Sequence, residues 1–425
     1  MDYKETTEWM FSQVPMFQDI GPGAYKPGLD NVLALSRMFG SPHLGLRTIH
    51  IAGTNGKGST ASTLAAILTA AGYRTGLYTS PHLVDFRERI RIDGEMIPQD
   101  DVVDFIRRYR AADSGINPSF FELTTVMAFE HFARRNVDIA VIETGLGGRL
   151  DSTNIITPEI SIITNISMDH TALLGDTPRA IAGEKAGIIK DGVPVVVGRA
   201  EGEVREVFAA EAARHGSAID FACDSLLYDS ATAADDHITY CGTPWGEIRS
   251  ELCGACQPEN ANTVMHALRV AFPDIAAAAV ARGFASVTGM TGLTGRWTTL
   301  ARNPRIICDT GHNPGGWEYL GDSLAKLSRE GRLHVVLGFV NDKDIDTILR
   351  RLPREATYYF ATPSVSRGRD SRSLAEHAAG AGIAGTPYPD VRSAYMGARN
   401  AAAPGDTIFV GGSTFVVADL LSTCL

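Results

Sequence analysis

A glycine-rich loop between a predicted strand and a predicted helix carries the clearest chemistry in the sequence. The strand is Thr48–Ala52 (TIHIA), and residues 60–71 (TASTLAAILTAA) suit a helix. In the loop, glycines let backbone amides face phosphate oxygens, and the helix N-terminus adds partial positive charge. Lys57 would reach the outer phosphates, and Ser59 would ligate magnesium. The predicted nucleotide-binding residues of this loop are Gly53, Thr54, Asn55, Gly56, Lys57, Gly58 and Ser59 (GTNGKGS).

This loop departs from the general pattern GxxxxGK[ST] of phosphate-binding loops. Ile51 occupies the first glycine position, and Gly58 stands between Lys57 and Ser59. A tight turn before a helix is therefore the alternative interpretation. The glycines and the lysine at a strand-to-helix junction favour phosphate binding.

Two further polar residues follow predicted strands. Glu143 ends the strand of residues 138–142 (DIAVI), and His170 follows the strand of residues 160–166 (ISIITNI). Because the carboxyl ends of parallel strands share one edge of a sheet, both side chains are predicted to project there. Helix capping by Glu143 and simple solvation of His170 are the alternatives. Together the two residues form a candidate metal site.

Short β-branched segments alternate with segments of helical spacing along most of the chain. This alternation predicts an α/β fold in which helices cover both faces of a mainly parallel sheet. Residues 220–256 instead carry Gly and Pro turns, which predict antiparallel hairpins that form an appendage. The alternation restarts after Gly295. We therefore predict one domain over residues 1–295 and a second, smaller α/β domain over residues 296–425.

The composition excludes several classes of function. A chain of 425 residues suits two domains, and no apolar run reaches the ~20 residues of a membrane-spanning helix. Lys plus Arg number 39 and Asp plus Glu number 49, and the resulting net charge of −10 argues against nucleic-acid binding. The first residues show neither an export nor a transit signal. We predict a soluble, cytoplasmic protein without membrane or nucleic-acid partners.

The six cysteines are predicted to be reduced thiols, because they are scattered over a chain with cytoplasmic character. Only Cys253 and Cys256 show the spacing of metal ligands. A zinc site that adds Cys241 and Cys223 to this pair is an alternative, although the sequence offers neither a second CxxC nor a histidine pair.

Six segments, in this order and over most of the chain, resemble folylpolyglutamate synthase and dihydrofolate synthase of the Mur ligase superfamily. The segments are residues 53–59 (GTNGKGS), 79–83 (TSPHL), 143–154 (ETGLGGRLDSTN), 167–170 (SMDH), 184–190 (EKAGIIK) and 309–314 (DTGHNP). The resemblance implies a Mur-ligase-like ATPase domain with a phosphate loop, followed by a Rossmann-like C-terminal domain. It also implies an ATP-dependent ligase of folate biosynthesis that joins glutamate to a pteroate or folate carboxylate through an acyl phosphate.

The resemblance assigns magnesium ligands. Residues that match Ser80, Glu143 and His170 bind the metal in this family. Ser59 of the phosphate loop joins them in the predicted ligand set, and manganese is expected to substitute. A residue that matches Lys185 carries a carbamate, which would turn a repelled cation into an anionic ligand. An ion pair of Lys185 with Glu184 or Glu143 is the alternative. A monovalent cation is a further cofactor expected from the resemblance.

Arg296, in residues 295–297 (GRW), is the candidate arginine for charge on the transferred phosphoryl group. It lies at the predicted domain junction, where closure would bring it to ATP in the cleft; an interdomain salt bridge is the alternative. With Lys57, Lys185 and His170 it completes the predicted catalytic set. The resemblance adds Gln257, Asn260 and Asp309 to the nucleotide-binding residues, although Cys256 and Thr294 depart from the family pattern.

Binding residues for the two remaining substrates are assigned mainly from the resemblance. An aromatic slot for the pteridine and aminobenzoyl groups is predicted at the helix start 119–123 (SFFEL), with core packing as the alternative for its phenylalanines. The predicted pteroate or folate ligands are Gly28 and Leu29 (in YKPGL), Ser119, Phe120, Phe121, Leu150, Asp151 and Ser152. The predicted glutamate ligands, near residues 340–344 (VNDKD), are His312, Asn313 and Ser413.

Two other functions are compatible with the phosphate loop. A cell-wall muramyl ligase would use the same chemistry, but TSPHL and DTGHNP fit the folate enzymes better. A nucleotide-dependent switch would leave DTGHNP and VNDKD without a purpose. We therefore predict a monomeric amide ligase that acts on ATP, glutamate and dihydropteroate or reduced folates.

Overall fold

The computed structural model describes residues 1–14, 28–341 and 344–424. The chain divides into two compact units. The first comprises Met1–Ala233, His237–Glu251 and Gln257–Leu293, and the second comprises Ala234–Asp236, Leu252–Cys256 and Thr294–Leu425. The domain boundary between residues 295 and 296 stays a prediction.

The first unit alternates helices and strands. Its helices are α1 (Tyr3–Gln13), α2 (Asp30–Met38), α3 (Lys57–Ala70), α4 (Gln99–Ala111), α5 (Phe120–Arg134), α6 (Thr171–Leu174), α7 (Pro178–Ala186), α8 (Gly202–Arg214), α9 (Gln257–Ala271), α10 (Ala277–Ala285) and α11 (Val287–Thr291). Its strands are β1 (Thr48–Ala52), β2 (Thr75–Tyr78), β3 (Ile90–Ile92), β4 (Glu95–Met96), β5 (Ile139–Glu143), β6 (Ile160–Ile163), β7 (Val195–Val197), β8 (Ile219–Phe221), β9 (Ser230–Ala233), β10 (Ile238–Thr243) and β11 (Gly246–Ser250).

The main sheet of the first unit has the strand order β4-β3-β2-β5-β1-β6-β7-β8. Strands β2, β5, β1, β6, β7 and β8 run parallel, while β3 and β4 form an antiparallel edge. Strand β1 lies between β5 and β6, with Ile51 opposite Glu143 and Ala52 opposite Ile163. The loops that follow these three strands therefore meet at one edge. The predicted α/β fold with a mainly parallel sheet is confirmed.

The segment predicted as an appendage is part of the main core instead. Strands β9, β10 and β11 do form a three-stranded antiparallel sheet. However, Ile238, Tyr240 and Ile248 are buried in the same apolar cluster as Ile49 of β1 and Leu64 of α3. Alternating apolar residues on β10 and β11 give this small sheet one inward face, and β11 packs against α10.

The second unit carries its own sheet, of order β12-β13-β17-β14-β15-β16. Only β12 is antiparallel to its neighbour. The strands are β12 (Thr298–Arg302), β13 (Arg305–Asp309), β14 (Leu333–Leu337), β15 (Thr357–Ala361), β16 (Gly385–Tyr388) and β17 (Thr407–Gly411). The helices are α12 (Pro314–Glu330), α13 (Ile345–Leu349), α14 (Ser371–Gly380), α15 (Val391–Ala401) and α16 (Thr414–Thr423). The predicted smaller α/β domain is thus present.

None of the helices that the structure describes is both long enough and apolar enough to cross a membrane.

Candidate functional site

The glycine-rich loop leads from β1 straight into α3, which begins at Lys57. The amides of the first helical turn cannot bond within the helix, so they are directed at whatever binds in the loop. Asn165, after β6, holds the loop from the side: its carbonyl accepts from the Thr54 amide at 2.9 Å and its Oδ1 from the Asn55 amide at 3.0 Å. Amides at a helix N-terminus are a geometry that suits an anion, so the local structure agrees with the phosphate binding predicted for this loop.

At two positions of the loop, neighbouring atoms leave no room for a side chain, so glycine is required there. Gly53 has φ +144°, and a Cβ there would lie 1.9 Å from Oγ1 of Thr164. Gly56 has φ +85°, and a Cβ there would lie 2.3 Å from Oδ1 of Asn260. Asn260 in turn donates to Gln257, which donates to Ser59 Oγ at 3.3 Å. The start of α9 is therefore packed against the phosphate loop, and nucleotide binding by Gln257 and Asn260 stays a prediction.

We expect Gly56→Ala to raise the KM for ATP by about tenfold to hundredfold, because both the left-handed backbone and the contact with Asn260 oppose a side chain. Initial rates at varied ATP measure the effect. Gly72→Ala is the matched control, since Gly72 follows the other end of α3 with φ +96° and a Cβ there would meet no atom within 4 Å. Equal KM values in the two variants would contradict a role of Gly56 in nucleotide binding.

Two lysines converge on one carbonyl of the loop. Lys57 Nζ donates to Gly53 O at 3.1 Å and to Thr54 O at 3.2 Å, and Lys185 Nζ donates to the same Gly53 oxygen at 2.8 Å. The two amines therefore lie within about 6 Å of each other. Burial, with a further contribution from the charge of Lys57, lowers the pKa of Lys185 to about 7. A large fraction of this amine is neutral near neutral pH.

The predicted metal ligands Ser80 and Glu143 are brought together. Glu143 is the last residue of β5 and is buried, and its Oε2 accepts from the Ser80 amide at 3.3 Å. The segment around Ser80 is fastened by Arg89, which is also buried and donates through Nε to His82 Nδ1 at 2.7 Å. Glu143 thus lies at the carboxyl edge of the sheet, as predicted.

His170 occupies a constrained position after β6. It precedes α6 with φ +50°, its side chain is 28% exposed, and Nε2 lies 3.9 Å from Oδ2 of Asp169. In the described parts of the chain, no three His, Cys, Asp or Glu residues gather into one metal-binding group. Magnesium takes one or two carboxylates and keeps several waters and substrate phosphates, so the buried carboxylate of Glu143 at the sheet edge fits this ion. A metal-binding role of His170 stays a prediction.

The zinc alternative gains no support. None of the six cysteines forms a disulfide bond, and among the described residues neither Cys253 nor Cys256 belongs to a group of three metal-binding side chains.

The predicted aromatic slot divides into a core residue and an accessible one. Ser119 caps α5, as its place before the helix predicts, by accepting from the Glu122 amide. Phe120 is 2% exposed and packs against Phe86 and the guanidinium of Arg89, so core packing, the alternative interpretation, is correct for this ring. Phe121 is half-buried.

Phe121 faces the second predicted pteroate segment. A Cβ on Gly145 would lie 2.5 Å from Cζ of its ring, so the far end of the ring contacts the loop after β5. In this loop Asp151 is buried, with Leu150 and Ser152 half-buried on either side. Gly28 and Leu29 precede α2 and are also half-buried, whereas residues 25–27 of the same motif lie outside the described residues.

The carboxylate of Asp151 is occupied by its own loop. Oδ2 accepts from the Leu146 amide at 2.7 Å, and Oδ1 accepts from the Thr153 amide at 3.0 Å and from Thr153 Oγ1 at 2.5 Å. Burial raises the pKa of this carboxyl, and the hydrogen bonds oppose the rise. A ligand would have to share Asp151 with these internal donors.

In the second unit, the predicted residues lie at the carboxyl edge of the sheet. Asp309 ends β13 and accepts from the amides of Trp297 and Gly311, both at 2.7 Å. Burial raises the pKa of Asp309, and the charge of Arg296 opposes that rise. Nucleotide and catalytic roles of Asp309 and Arg296 stay predictions.

Two predicted glutamate ligands are helix N-caps. Asn313 Oδ1 accepts from the Gly316 amide at 2.9 Å at the start of α12, and Ser413 Oγ accepts from the Val416 amide at 3.3 Å at the start of α16. His312 lies in the turn before α12 and contacts Thr310 O through Nδ1 at 3.1 Å. Two helix N-termini therefore face the edge where β13 and β17 end.

Sequence reasoning missed a cation at the same edge. Arg367 follows β15, and its carbonyl accepts from the Asn341 amide at 3.0 Å, which ties this loop to the end of β14. An antiparallel bridge between Val340 and Gly368 adds to the tie. The position of Arg367 after a predicted strand was the feature of the sequence that could have identified it. Residues 342 and 343 of VNDKD lie outside the described residues.

Comparison with known proteins places these features in one family. The Mur ligase middle domain model matches residues 51–268, and the Mur ligase, glutamate ligase domain model matches residues 295–414. A probable bifunctional folylpolyglutamate synthase/dihydropteroate synthase of Haloferax volcanii is 34% identical over 100% of this chain and 50% of its own length. The dihydrofolate synthase/folylpolyglutamate synthase of Escherichia coli is 32% identical over 93% of this chain and 90% of its own length.

Among solved structures, E. coli FolC in complex with DHPP and ADP is similar with a TM-score of 0.84 and 30% sequence identity. The similarity covers 99% of this chain and 97% of that one. The chain thus spans about half the length of the Haloferax relative and nearly all of the E. coli one.

Proposed function

This chain belongs to the Mur ligase family, among its dihydrofolate and folylpolyglutamate synthases, and we propose that it joins L-glutamate to dihydropteroate and to reduced folates with ATP as the energy source. It is an ATP-dependent acid–amino-acid ligase of folate metabolism. One observation supports the proposal most strongly: the amines of Lys57 and of the buried Lys185 both donate to the carbonyl oxygen of Gly53. Asn260 packs against Gly56 of the same loop.

A carboxylate does not react usefully with an amine, so the acid must first be activated. A carboxylate oxygen of the pteroate or folate attacks the γ-phosphorus of ATP, and the bond to the bridging oxygen of ADP breaks. The glutamate amine then attacks the acyl carbon, phosphate leaves with the bonding electron pair, and the amine loses a proton. Catalysis of the first step is mainly positioning and charge stabilisation.

The protein residues supply both effects. The amides at the start of α3 hold the phosphates, and Lys57 and Arg296 offset charge that develops on the γ-phosphoryl group. Five side chains would hold magnesium: those of Ser59, Ser80, Glu143, His170 and a carbamylated Lys185. When bound, the metal would supply positive charge to the phosphate oxygens.

Each organic substrate is assigned to one loop cluster. Phe121 and the loop around Asp151 are proposed to receive the pterin, and the half-buried ring of Phe121 can stack on it. Incoming glutamate carries two carboxylates, which helix N-termini and a cation attract. His312, Asn313 and Ser413 are proposed for this role, and Arg367 adds the cation.

Omission of single substrates tests the proposal. Phosphate release from ATP should require both glutamate and an acid substrate, and the amide product should equal the phosphate. Dihydropteroate, tetrahydrofolate and a muramyl nucleotide, assayed in parallel, separate the two folate activities from a cell-wall ligase. Phosphate release that depends on neither glutamate nor the acid substrate would refute the ligase function and favour a nucleotide-dependent switch.

The setting of the enzyme is part of the proposal. We propose a cytoplasmic monomer with small-molecule substrates and no nucleic-acid partner; its net charge of −10 supports the last point. Magnesium, for which manganese substitutes, and a monovalent cation are the proposed metal cofactors.

A further inference from the structure

The strand that carries the phosphate loop contains a buried histidine with no place in the mechanism above. His50 is the central residue of β1, has 0% of its surface exposed, and lies three residues before Gly53. Its Nε2 lies 2.8 Å from Oγ1 of Thr153. Thr153 belongs to the loop after β5, so the contact joins two segments that are 103 residues apart in the chain.

The donor and acceptor of this contact can be assigned. The hydroxyl of Thr153 has one proton, which it donates to Asp151 Oδ1 at 2.5 Å. Nε2 of His50 must therefore carry the proton of the His50–Thr153 hydrogen bond. Burial lowers the pKa of His50 to about 3, which keeps the imidazole neutral with one ring proton for this purpose. The result is a directed chain from His50 through Thr153 to Asp151.

The far end of the chain determines the shape of the loop. Asp151 Oδ2 accepts from the Leu146 amide, so the carboxylate closes the turn between Leu146 and Thr153. Its neighbours Leu150 and Ser152 are proposed pteroate ligands, and the turn starts next to Gly145, which supports the ring of Phe121. A shift of Asp151 would therefore move both walls of the proposed pterin slot.

Simple core packing does not account for the histidine. Among the described residues, none provides a hydrogen-bond partner for His50 Nδ1, although this atom is buried. A buried polar atom without a partner lowers stability, so an apolar side chain of similar size would pack there at smaller cost. The hydrogen bond to Thr153 is the interaction that the histidine makes and that an apolar side chain could not make.

We propose that His50 is a positioning residue for the acid substrate: through Thr153 it fixes the Asp151 loop relative to the strand that bears the phosphate loop. The inference rests on the proposed function, because it assigns the pterin to this loop. It concerns the binding of one substrate only. ATP and glutamate contact other segments and should not respond.

The test compares substrate KM values in the full-length enzyme. His50→Leu and Thr153→Val each remove the hydrogen bond with little change of shape, and we expect about a tenfold rise in the KM for dihydropteroate or tetrahydrofolate. The double variant should show no further rise, because both changes break one chain. KM values for ATP and glutamate should stay within about twofold. His50→Gln places an amide donor near the position of Nε2 and should restore most of the affinity.

A matched control lies on the same strand face. Thr48 is buried two residues before His50, and within the described chain its Oγ1 also has no hydrogen-bond partner. Thr48→Val should leave all three KM values unchanged and raise the thermal midpoint slightly. This control separates loss of the relay from general disturbance of β1.

Three outcomes would overturn the inference: unchanged KM for the acid substrate in His50→Leu, equal rises for the acid and ATP, or additive effects in the double variant. A His50→Gln variant as poor as His50→Leu would also contradict it. Wild-type enzyme that uses neither dihydropteroate nor tetrahydrofolate would refute the proposed function instead. The two failures are therefore distinguishable.

Discussion

Replacement of Lys185 by alanine is expected to lower kcat by ~10³ or more. The amine of Lys185 is buried and lies close to Lys57, and burial lowers its pKa to about 7, so a large fraction of it is neutral near neutral pH. A neutral amine forms an N–C bond to CO₂ and loses a proton to solvent, and the negative charge of the resulting carbamate would suit a metal ligand beside the phosphate loop. An ammonium at the same place would repel both Lys57 and the metal.

Two additional measurements separate the carbamate from a structural role of Lys185. Acetate or formate should restore part of the activity of Lys185→Ala, because a small carboxylate can replace the missing anion. In wild-type enzyme stripped of CO₂, recovery on addition of bicarbonate should rise with pH through about 7, as the amine loses its proton. Lys190→Ala is the matched control in the same motif and should lose less than about tenfold. Full activity of Lys185→Ala would exclude the carbamate.

Replacement of Lys57 by alanine is expected to lower kcat by ~10³ or more as well. Lys57 is the first residue of α3, and its amine bridges the carbonyls of Gly53 and Thr54 across the loop. From this position the amine of Lys57 can stay close to the γ-phosphoryl group while negative charge develops on that group. The charge is needed more in the transition state than in the bound state, so kcat should fall more than the affinity for ATP.

Rapid quench and equilibrium binding check this expectation. Formation of acyl phosphate in a single turnover should slow by the same factor as kcat, while the Kd for ATP should rise less than about tenfold. Lys57→Arg keeps the charge but not the compact ammonium, and should fall between the wild type and alanine. A Lys57→Ala enzyme within fivefold of wild-type kcat would contradict the role assigned to this residue.

Local patterns in the sequence were sufficient to predict the positions of several site residues. The strand Thr48–Ala52 and the helix after it follow from periodicity, and the loop between them follows from its glycines. Glu143 ends β5, so its place at the carboxyl edge of the sheet follows from the rule for parallel sheets, whereas Ser80, which follows β2, was identified only through the family resemblance.

Contacts between distant segments could not be predicted from the residue pattern. The hydrogen bond from Lys185 to Gly53 spans 132 residues, and the packing of Asn260 on Gly56 depends on how α9 meets the sheet. The inward face of β10 was misjudged for the same reason, because alternation shows that a strand has two faces but not what covers them. Phe120 and Phe121 are adjacent and chemically identical, and only the fold decides which ring is core.

Transfer of oxygen from the acid substrate to phosphate would show directly that the carboxylate is activated as an acyl phosphate. Dihydropteroate, or tetrahydrofolate if that is the accepted substrate, is labelled with ¹⁸O in its reactive carboxylate and turned over with ATP and glutamate. Activation as an acyl phosphate predicts that each phosphate released contains one oxygen from the labelled carboxylate, detected as a mass increase of the phosphate. Phosphate without the label, formed together with the amide product, would contradict the account.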